Sequence, residues 1–146
     1  MMPALVPELA VSDCAASLRF YRDLLGFSVR YARPEEGFAY LEREGAELML
    51  DQIGLGRTFD GGHGPEARPF GRGVNLQIAV SAVAPLLQAL EGAGIALLLP
   101  LEERWYRRGA EEVGNRQFIV ADPDGYLLRF AEDLGARPVT GDRAAP

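Results

Sequence analysis

The sequence predicts an α+β fold in which two copies of a strand-helix-strand-strand-strand (βαβββ) module form a curled mixed sheet around a cleft. The same order of elements occurs twice. The distance from the candidate helix cap to the glycine that ends the helix is nearly equal in the two copies, fourteen positions from Ser12 to Gly26 and thirteen from Ser81 to Gly94. A DPDG turn at residues 122–125 then joins two apolar alternating runs and closes the second copy.

The first module covers residues 1–55. Alternation of apolar and polar residues predicts four strands, at residues 5–11, 27–31, 38–43 and 46–52. A helix is predicted over residues 14–25, where apolar residues three and four positions apart form one face. Ser12 and Asp13 offer oxygens to cap its N-terminus, and Gly26 suits the left-handed conformation that ends many helices.

The second module covers residues 74–134 and repeats this order. Its strands are predicted at residues 74–80, 95–99, 117–121 and 126–131. Ser81 is the candidate cap of its helix, and Pro85 falls in the first helical turn, where its missing N–H is harmless. Gly92 and Gly94 are predicted to end this helix.

Three segments lie outside the predicted elements. Residues 56–73, rich in Gly, Pro and Arg, are predicted to be an exposed linker between the modules. Residues 100–114 are predicted to be a long loop that takes part in binding, and residues 135–146 a frayed tail. We expect the two modules to form one compact domain.

Composition excludes several classes of function. The chain has 146 residues, with 21 acidic and 15 basic side chains and a formal net charge of -6, so we expect no binding to nucleic acid. We expect no signal peptide, because the N-terminus lacks a basic region and a long apolar run, and no membrane span, because no run approaches ~20 apolar residues. The single cysteine, Cys14, cannot form an internal disulfide. A cytoplasmic protein is therefore predicted.

Two motifs resemble a known superfamily. Asp13, Ser17 and the run from Phe20 to Phe27 match D-x₃-S-x₂-FY-x₃-LGF, and residues 122–130 match the closing turn and strand of the same group. The chain is thereby similar, over residues 5–133, to the vicinal oxygen chelate superfamily, which includes glyoxalase I, extradiol dioxygenases and the fosfomycin and bleomycin resistance proteins. The resemblance implies paired βαβββ modules, usually in a dimer.

Enzymes of that superfamily hold a divalent metal ion with His, Glu or Gln on inward-facing strand positions. By the resemblance, those positions fall on Val6 and Met49 in the first module and on Asn75 and Arg129 in the second. Valine and methionine offer no hard ligand, and arginine brings a fixed positive charge. We therefore expect no metal, no cofactor and no catalytic residue.

The missing ligands favour a binding protein over an enzyme, similar to the metal-free bleomycin resistance proteins. In that branch a bulky, cationic, planar ligand lies in two grooves formed across a homodimer, against aromatic faces and carboxylates. The ligand-binding residues that this implies here are Phe38, Tyr40, Glu47, Asp51, Trp105, Tyr106, Phe118 and Arg129.

Other interpretations of these residues stay open. Trp105 and Tyr106 could simply anchor the long loop, and Phe38, Tyr40 and Phe118 could belong to the core. Arg129, if it faces inward, needs a carboxylate partner or a ligand carboxylate or phosphate. His63 lies in a glycine-rich segment without a second histidine, and Cys14 is predicted to be a small buried packing residue.

Two alternative functions follow from these residues. One is a metalloenzyme of the glyoxalase or dioxygenase type with a displaced metal site that uses Glu47, Asp51 or Glu132. The other is a binding module for an anionic metabolite that meets Arg129 and the arginines of residues 100–114.

Overall fold

A computed structural model of the chain describes residue 3, residues 5–55, residue 71 and residues 74–139. Most of the predicted linker at residues 56–73, His63 within it, and the end of the predicted tail lie outside the described residues.

The α+β class and the duplication are confirmed. The first module consists of β1 (Glu8–Val11), α1 (Cys14–Leu18), a π-helix (Arg19–Leu24), β2 (Ser28–Arg33), a 3₁₀ turn (Pro34–Glu36), β3 (Phe38–Arg43) and β4 (Ala46–Gln52). The second consists of β5 (Asn75–Ala79), α2 (Ala84–Gly92), β6 (Leu99–Arg108), β7 (Glu111–Ala121) and β8 (Leu127–Pro138).

The two modules form two four-stranded mixed sheets with the same topology. The strand order is β1-β4-β3-β2 in the first sheet and β5-β8-β7-β6 in the second. In each module the first strand pairs in parallel with the last strand, so that Leu9 lies beside Leu50 and Ile78 beside Phe130. The remaining pairs are antiparallel. The same topology in both sheets is the structural counterpart of the repeat in the sequence.

The largest correction concerns residues 100–114, which do not form a loop. They belong to a long antiparallel hairpin in which β6 pairs with β7 from Leu99 opposite Ile119 to Arg108 opposite Glu111. Gly109, with a φ of 66°, lies in the tight turn that joins them. The hairpin continues into β8, which runs to Pro138 and so includes the first four residues of the predicted tail.

The two helices begin differently from each other. Asp13 caps α1, because its Oδ1 accepts from the backbone N–H groups of Ala15 and Ala16 at 3.0 and 3.3 Å. The predicted cap of the second helix is wrong: α2 begins after Val83, whose side chain makes no capping hydrogen bond. Ser81 lies ahead of the helix, and its backbone N–H donates to Glu44 of the first module at 3.1 Å.

One continuous core joins the modules. It contains apolar side chains from helices and strands of both modules, such as Tyr21, Leu50, Leu90 and Phe130. In each sheet the strand residues alternate, so one face carries the helices and the core. We call the opposite side of each sheet its open face.

Among the described residues, four residue pairs form side-chain hydrogen bonds between the modules in a nearly reciprocal way. The carboxylate of Asp124, in the turn before β8, accepts from the backbone N–H of Ser12, just as Glu44, in the turn before β4, accepts from that of Ser81. Two tyrosines add to this: Tyr21 donates to Asp122, and Tyr126 donates to the carbonyl of Ala10. Each module therefore holds the strand-to-helix junction of the other.

Within the described ranges, no helix has both the length and the apolar character needed to cross a bilayer.

Candidate functional site

The open face of the first sheet carries an aromatic ladder. Tyr31 on β2 stacks on Tyr40 of β3, with ring centroids 5.1 Å apart and planes 18° from parallel. Phe38 continues the row, 5.9 Å from Tyr31, and the guanidinium of Arg33 lies 4.1 Å from the centre of its ring. Tyr31 stays 51% exposed, so the end of this ladder offers a ring face to the solvent.

Carboxylates lie beside the ladder because β4 pairs with β3 in the same register. Asp51 is directly opposite Phe38, and Met49 is opposite Tyr40. Glu47 forms an ion pair with Arg30 at 2.6 Å. Desolvation, followed by the hydrogen bond to Glu47 and its charge, raises the pKa of Tyr40, so its hydroxyl remains a donor.

Asp51 is the unusual member of this face. It is only 7% exposed, and among the described residues none donates a hydrogen bond to its carboxylate. A carboxylate with so little contact with water is stabilised by a hydrogen-bond donor or a cation. The first open face therefore combines a ladder of aromatic rings, exposed at Tyr31, with acceptor groups for a cation.

The open face of the second sheet is polar and has the opposite character. Tyr106, on β6, accepts a hydrogen bond from Nε2 of Gln117 at 2.7 Å, and Glu102 accepts from the same nitrogen at 2.9 Å. Arg129, on β8, lies between Gln77 and Ile119 in the register of the sheet. A groove of about 420 Å³ opens on this face, lined in part by Gln77, which is paired with Arg129, and by Ala131, which is paired with Gln117.

Arg129 lacks the carboxylate partner that the sequence led us to expect. Its Nε is buried and has no hydrogen-bond partner, and among the described residues no ion pair involves its guanidinium. The other possibility stated for this residue, a ligand carboxylate or phosphate, remains a prediction.

Two of the expected ligand residues lie elsewhere. Phe118 is fully buried on the helical side of its sheet, with its ring centroid 5.5 Å from that of Phe130, so it is a core residue. Trp105 precedes Tyr106 in β6 and so points to the opposite side of the sheet. There it packs against Gly114, where an added Cβ would come within 2.8 Å of the indole, and under Arg137 at 3.8 Å. Trp105 is thus an anchor of the hairpin and not part of an open face.

Of the eight predicted ligand residues, the first open face brings together Phe38, Tyr40, Glu47 and Asp51, and the second holds Tyr106 and Arg129. Sequence reasoning missed Tyr31 and Gln117. Tyr31 falls in the alternating pattern of β2 and could have been found from it. The position of Gln117 depends on the hairpin register, which the sequence did not reveal.

Comparison with known proteins identifies the family. A family model described as the glyoxalase/bleomycin resistance protein/dioxygenase superfamily matches residues 4–130. The chain belongs to this superfamily. Bleomycin resistance proteins of Geobacillus stearothermophilus and Staphylococcus aureus are 30% identical to it over 137 residues, which cover 88% of this chain and 96% of theirs.

Solved structures show the same fold at lower identity. A virulence protein from Salmonella typhimurium aligns with a TM-score of 0.64 at 22% identity, covering 90% of this chain and 98% of its own. TioX from Micromonospora sp. ML1 aligns with a TM-score of 0.64 at 23% identity, covering 90% of this chain and all of its own. These likenesses show that the chain shares its fold with both proteins.

A divalent metal ion, as used by the superfamily's enzymes, does not fit the side chains of this chain. The positions implied for its ligands are Val6, Met49, Asn75 and Arg129, of which none is a carboxylate or an imidazole. Arg129 moreover places a positively charged guanidinium where an ion would need an anionic ligand. Among the described residues, no group of three or more His, Cys, Asp and Glu side chains could hold a metal ion.

The displaced metal site considered from the sequence also lacks a ligand set. Glu47 is paired with Arg30, whereas Glu132 lies on the helical side of the second sheet, where it binds Arg116 and the backbone N–H of Val83. Neither Glu47 nor Glu132 is therefore available to join Asp51 as a ligand of a metal ion.

Cys14 is buried at the start of α1. Burial, and then the negative charges of Asp13 and Asp51, raise the pKa of its thiol. A thiol that stays protonated is a poor nucleophile, which agrees with a packing role.

Proposed function

We propose that this protein is a metal-free small-molecule binding protein of the bleomycin resistance type, which sequesters a bulky, cationic aromatic ligand in grooves at a homodimer interface. The observation that carries the proposal is the stacked pair Tyr31 and Tyr40 on the first open face, with the carboxylates of Glu47 and Asp51 beside it. Sequestration requires complementary surfaces and no nucleophile or metal ion.

The chemistry of the first open face matches such a ligand in two ways. An exposed tyrosine ring accepts a planar group by stacking, and a cation over its face gains about 0.5–2 kcal/mol, more when water is excluded. Asp51 is only 7% exposed and receives no hydrogen bond from the described residues, so a ligand ammonium or guanidinium would supply a partner for it.

The distribution of exposed apolar groups supports the dimer. No helix of the described ranges packs on either open face, and in a single copy Tyr31 and Tyr106 are 51% and 37% exposed there, with Leu98 at 62% beside β6. A second copy that covers these faces would bury this surface and turn each shallow face into an enclosed groove. Analytical ultracentrifugation at micromolar concentration tests this part, and a monomer under conditions where ligand binds would contradict it.

The relatives point to the same ligand class. The bleomycin resistance proteins that are 30% identical to this chain match it over almost their entire length, so the likeness includes both modules.

The ligand is tested by calorimetric titration of metal-free bleomycin into the wild type, Tyr40→Leu and Glu47→Gln. We expect saturable binding by the wild type. Loss of the ring face at Tyr40 should weaken it about 2- to 30-fold, which corresponds to about 0.5–2 kcal/mol. Glu47→Gln should weaken binding chiefly at low ionic strength, because charge attraction is screened by salt.

Glu91→Gln is the matched control, since Glu91 is an exposed carboxylate at the end of α2. It should bind bleomycin like the wild type. Absence of any binding by the wild type at high micromolar bleomycin would show that the ligand is wrong. Equal affinity of the wild type and Tyr40→Leu would show that the site is wrong.

A further inference from the structure

The second open face contains an arginine with one buried hydrogen-bond donor that is unused. Nε of Arg129 is buried and has no hydrogen-bond partner. Strand alternation places three carboxylates of the described residues on this face, and each has another partner: Glu102 accepts from Gln117, Asp133 accepts from the backbone N–H of Gly135 at 2.7 Å, and Glu111 pairs with Arg108. A guanidinium cannot lose its charge at working pH, so its environment must supply an acceptor.

A second unused group lies next to it. Gln117 is 1% exposed, and both of the hydrogen bonds it makes come from Nε2, whereas its Oε1 is buried without a donor. Gln117 pairs with Ala131 across β7 and β8, and Ile119 pairs with Arg129. Gln117 and Arg129 are therefore diagonal neighbours on one face, with Cα atoms roughly 7–8 Å apart.

The two groups together define a recognition pattern. Arg129 requires an anionic acceptor, and Oε1 of Gln117 requires a donor. Gln77, opposite Arg129 on β5, is exposed and adds an adaptable amide at the edge of the groove. One ligand that offers a carboxylate next to an N–H donor would satisfy both buried atoms at once.

We infer that the second open face is a binding site for a carboxylate with an adjacent N–H donor, held by Arg129 and Gln117. This site lies on the second sheet and takes a ligand group of the opposite charge from that proposed for the first sheet. A ligand with an acylated amino acid end has the required pattern.

The probe is hippurate (N-benzoylglycine), titrated into ¹⁵N-labelled protein and followed through the Arg129 Nε–Hε signal, which is assigned by its absence in Arg129→Met. Hippurate should bind with the lowest dissociation constant and shift this signal. Benzoate lacks the amide donor and should bind more weakly, and hippuramide lacks the carboxylate and should bind weakest.

Arg129→Met should weaken hippurate about 10- to 100-fold, the range expected when charge-assisted hydrogen bonds are lost. It replaces an unpaired charge by a side chain of similar length, so it should fold with an unchanged or higher Tm. Arg129→Lys should weaken hippurate less, because it keeps the charge without the planar fork. The control is Arg107→Met, an exposed arginine at the end of the hairpin, which should leave hippurate binding unchanged.

Equal binding of hippurate and hippuramide, or unchanged hippurate affinity in Arg129→Met, would overturn the inference. Inorganic phosphate that displaces hippurate and binds as tightly would overturn the requirement for a donor. Tyr40→Leu separates the two sites, because it should weaken bleomycin and spare hippurate.

Discussion

The hydrogen bond between Tyr21 and Asp122 is the most buried polar contact between the two modules. The hydroxyl of Tyr21, which is fully buried, donates to Oδ2 of Asp122 at 2.8 Å. Burial, and then the charge of Asp122, raise the pKa of Tyr21, so the hydroxyl stays protonated and acts as the donor. Tyr21→Phe removes only this oxygen and leaves the ring packing intact.

The expected loss of stability in Tyr21→Phe depends on which hydrogen bonds the carboxylate of Asp122 retains. Oδ1 of Asp122 still accepts from the backbone N–H groups of Asp124 and Tyr126 at 2.9 and 2.8 Å, but Oδ2 loses its donor. A hydrogen bond to a charged group contributes about 1.5–3 kcal/mol. We therefore expect the free energy of unfolding to fall by about 2 kcal/mol and the Tm by about 4–8 °C.

Urea unfolding followed by circular dichroism, at one fixed protein concentration, measures this loss. Tyr126→Phe is the matched control, because its hydroxyl also joins the modules but donates to a neutral carbonyl, that of Ala10 at 2.9 Å. That variant should lose only about 0.5–1.5 kcal/mol. If Tyr21→Phe costs no more than Tyr126→Phe, the assignment of Tyr21 and Asp122 as a strong buried link is wrong.

Two further changes test the packing between modules and within the hairpin. Burial raises the pKa of Glu44, but hydrogen bonds from Ser81 and then Arg43 outweigh it, so the net pKa is lowered. The stability that Glu44 contributes is therefore present above its unfolded pKa and is lost as the pH falls through its folded pKa. Glu44→Gln should consequently show a smaller decline of Tm between about pH 5 and 3 than the control Glu91→Gln. Gly114→Ala places a Cβ within 2.8 Å of the Trp105 ring, so it should lower the free energy of unfolding by about 1–3 kcal/mol and shift the tryptophan emission. An unchanged emission and Tm would contradict the packing of Trp105 on Gly114.

The strands β3 and β4 could be predicted from the sequence to the residue, because apolar residues recur at every second position on their core side and glycine-containing turns bound them. Asp13 was likewise recognisable as a cap, since its carboxylate binds backbone N–H groups only two and three residues away. Both features depend on residues that are close together in the chain, and such patterns can be recognised in a single sequence.

The hairpin of β6 and β7 could not be predicted for a physical reason. Residues 99–108 contain a proline and five charged side chains, with polar groups on both sides, so they lack the alternation that marks a half-buried strand. Pairing along the whole length of β7 stabilises β6 instead. The same hairpin determines which side chains can contact a ligand on the second sheet. Its register places Gln117 and Tyr106 on the second open face and Trp105 on the other side.

Chemical-shift mapping with metal-free bleomycin tests the central claim most directly. If the first open face is the ligand site, saturating bleomycin should produce its largest backbone amide shifts in β2, β3 and β4, around Tyr31, Tyr40 and Asp51. Shifts confined to the helices and the core side of the sheets, or no shifts at all at high micromolar bleomycin, would contradict the account.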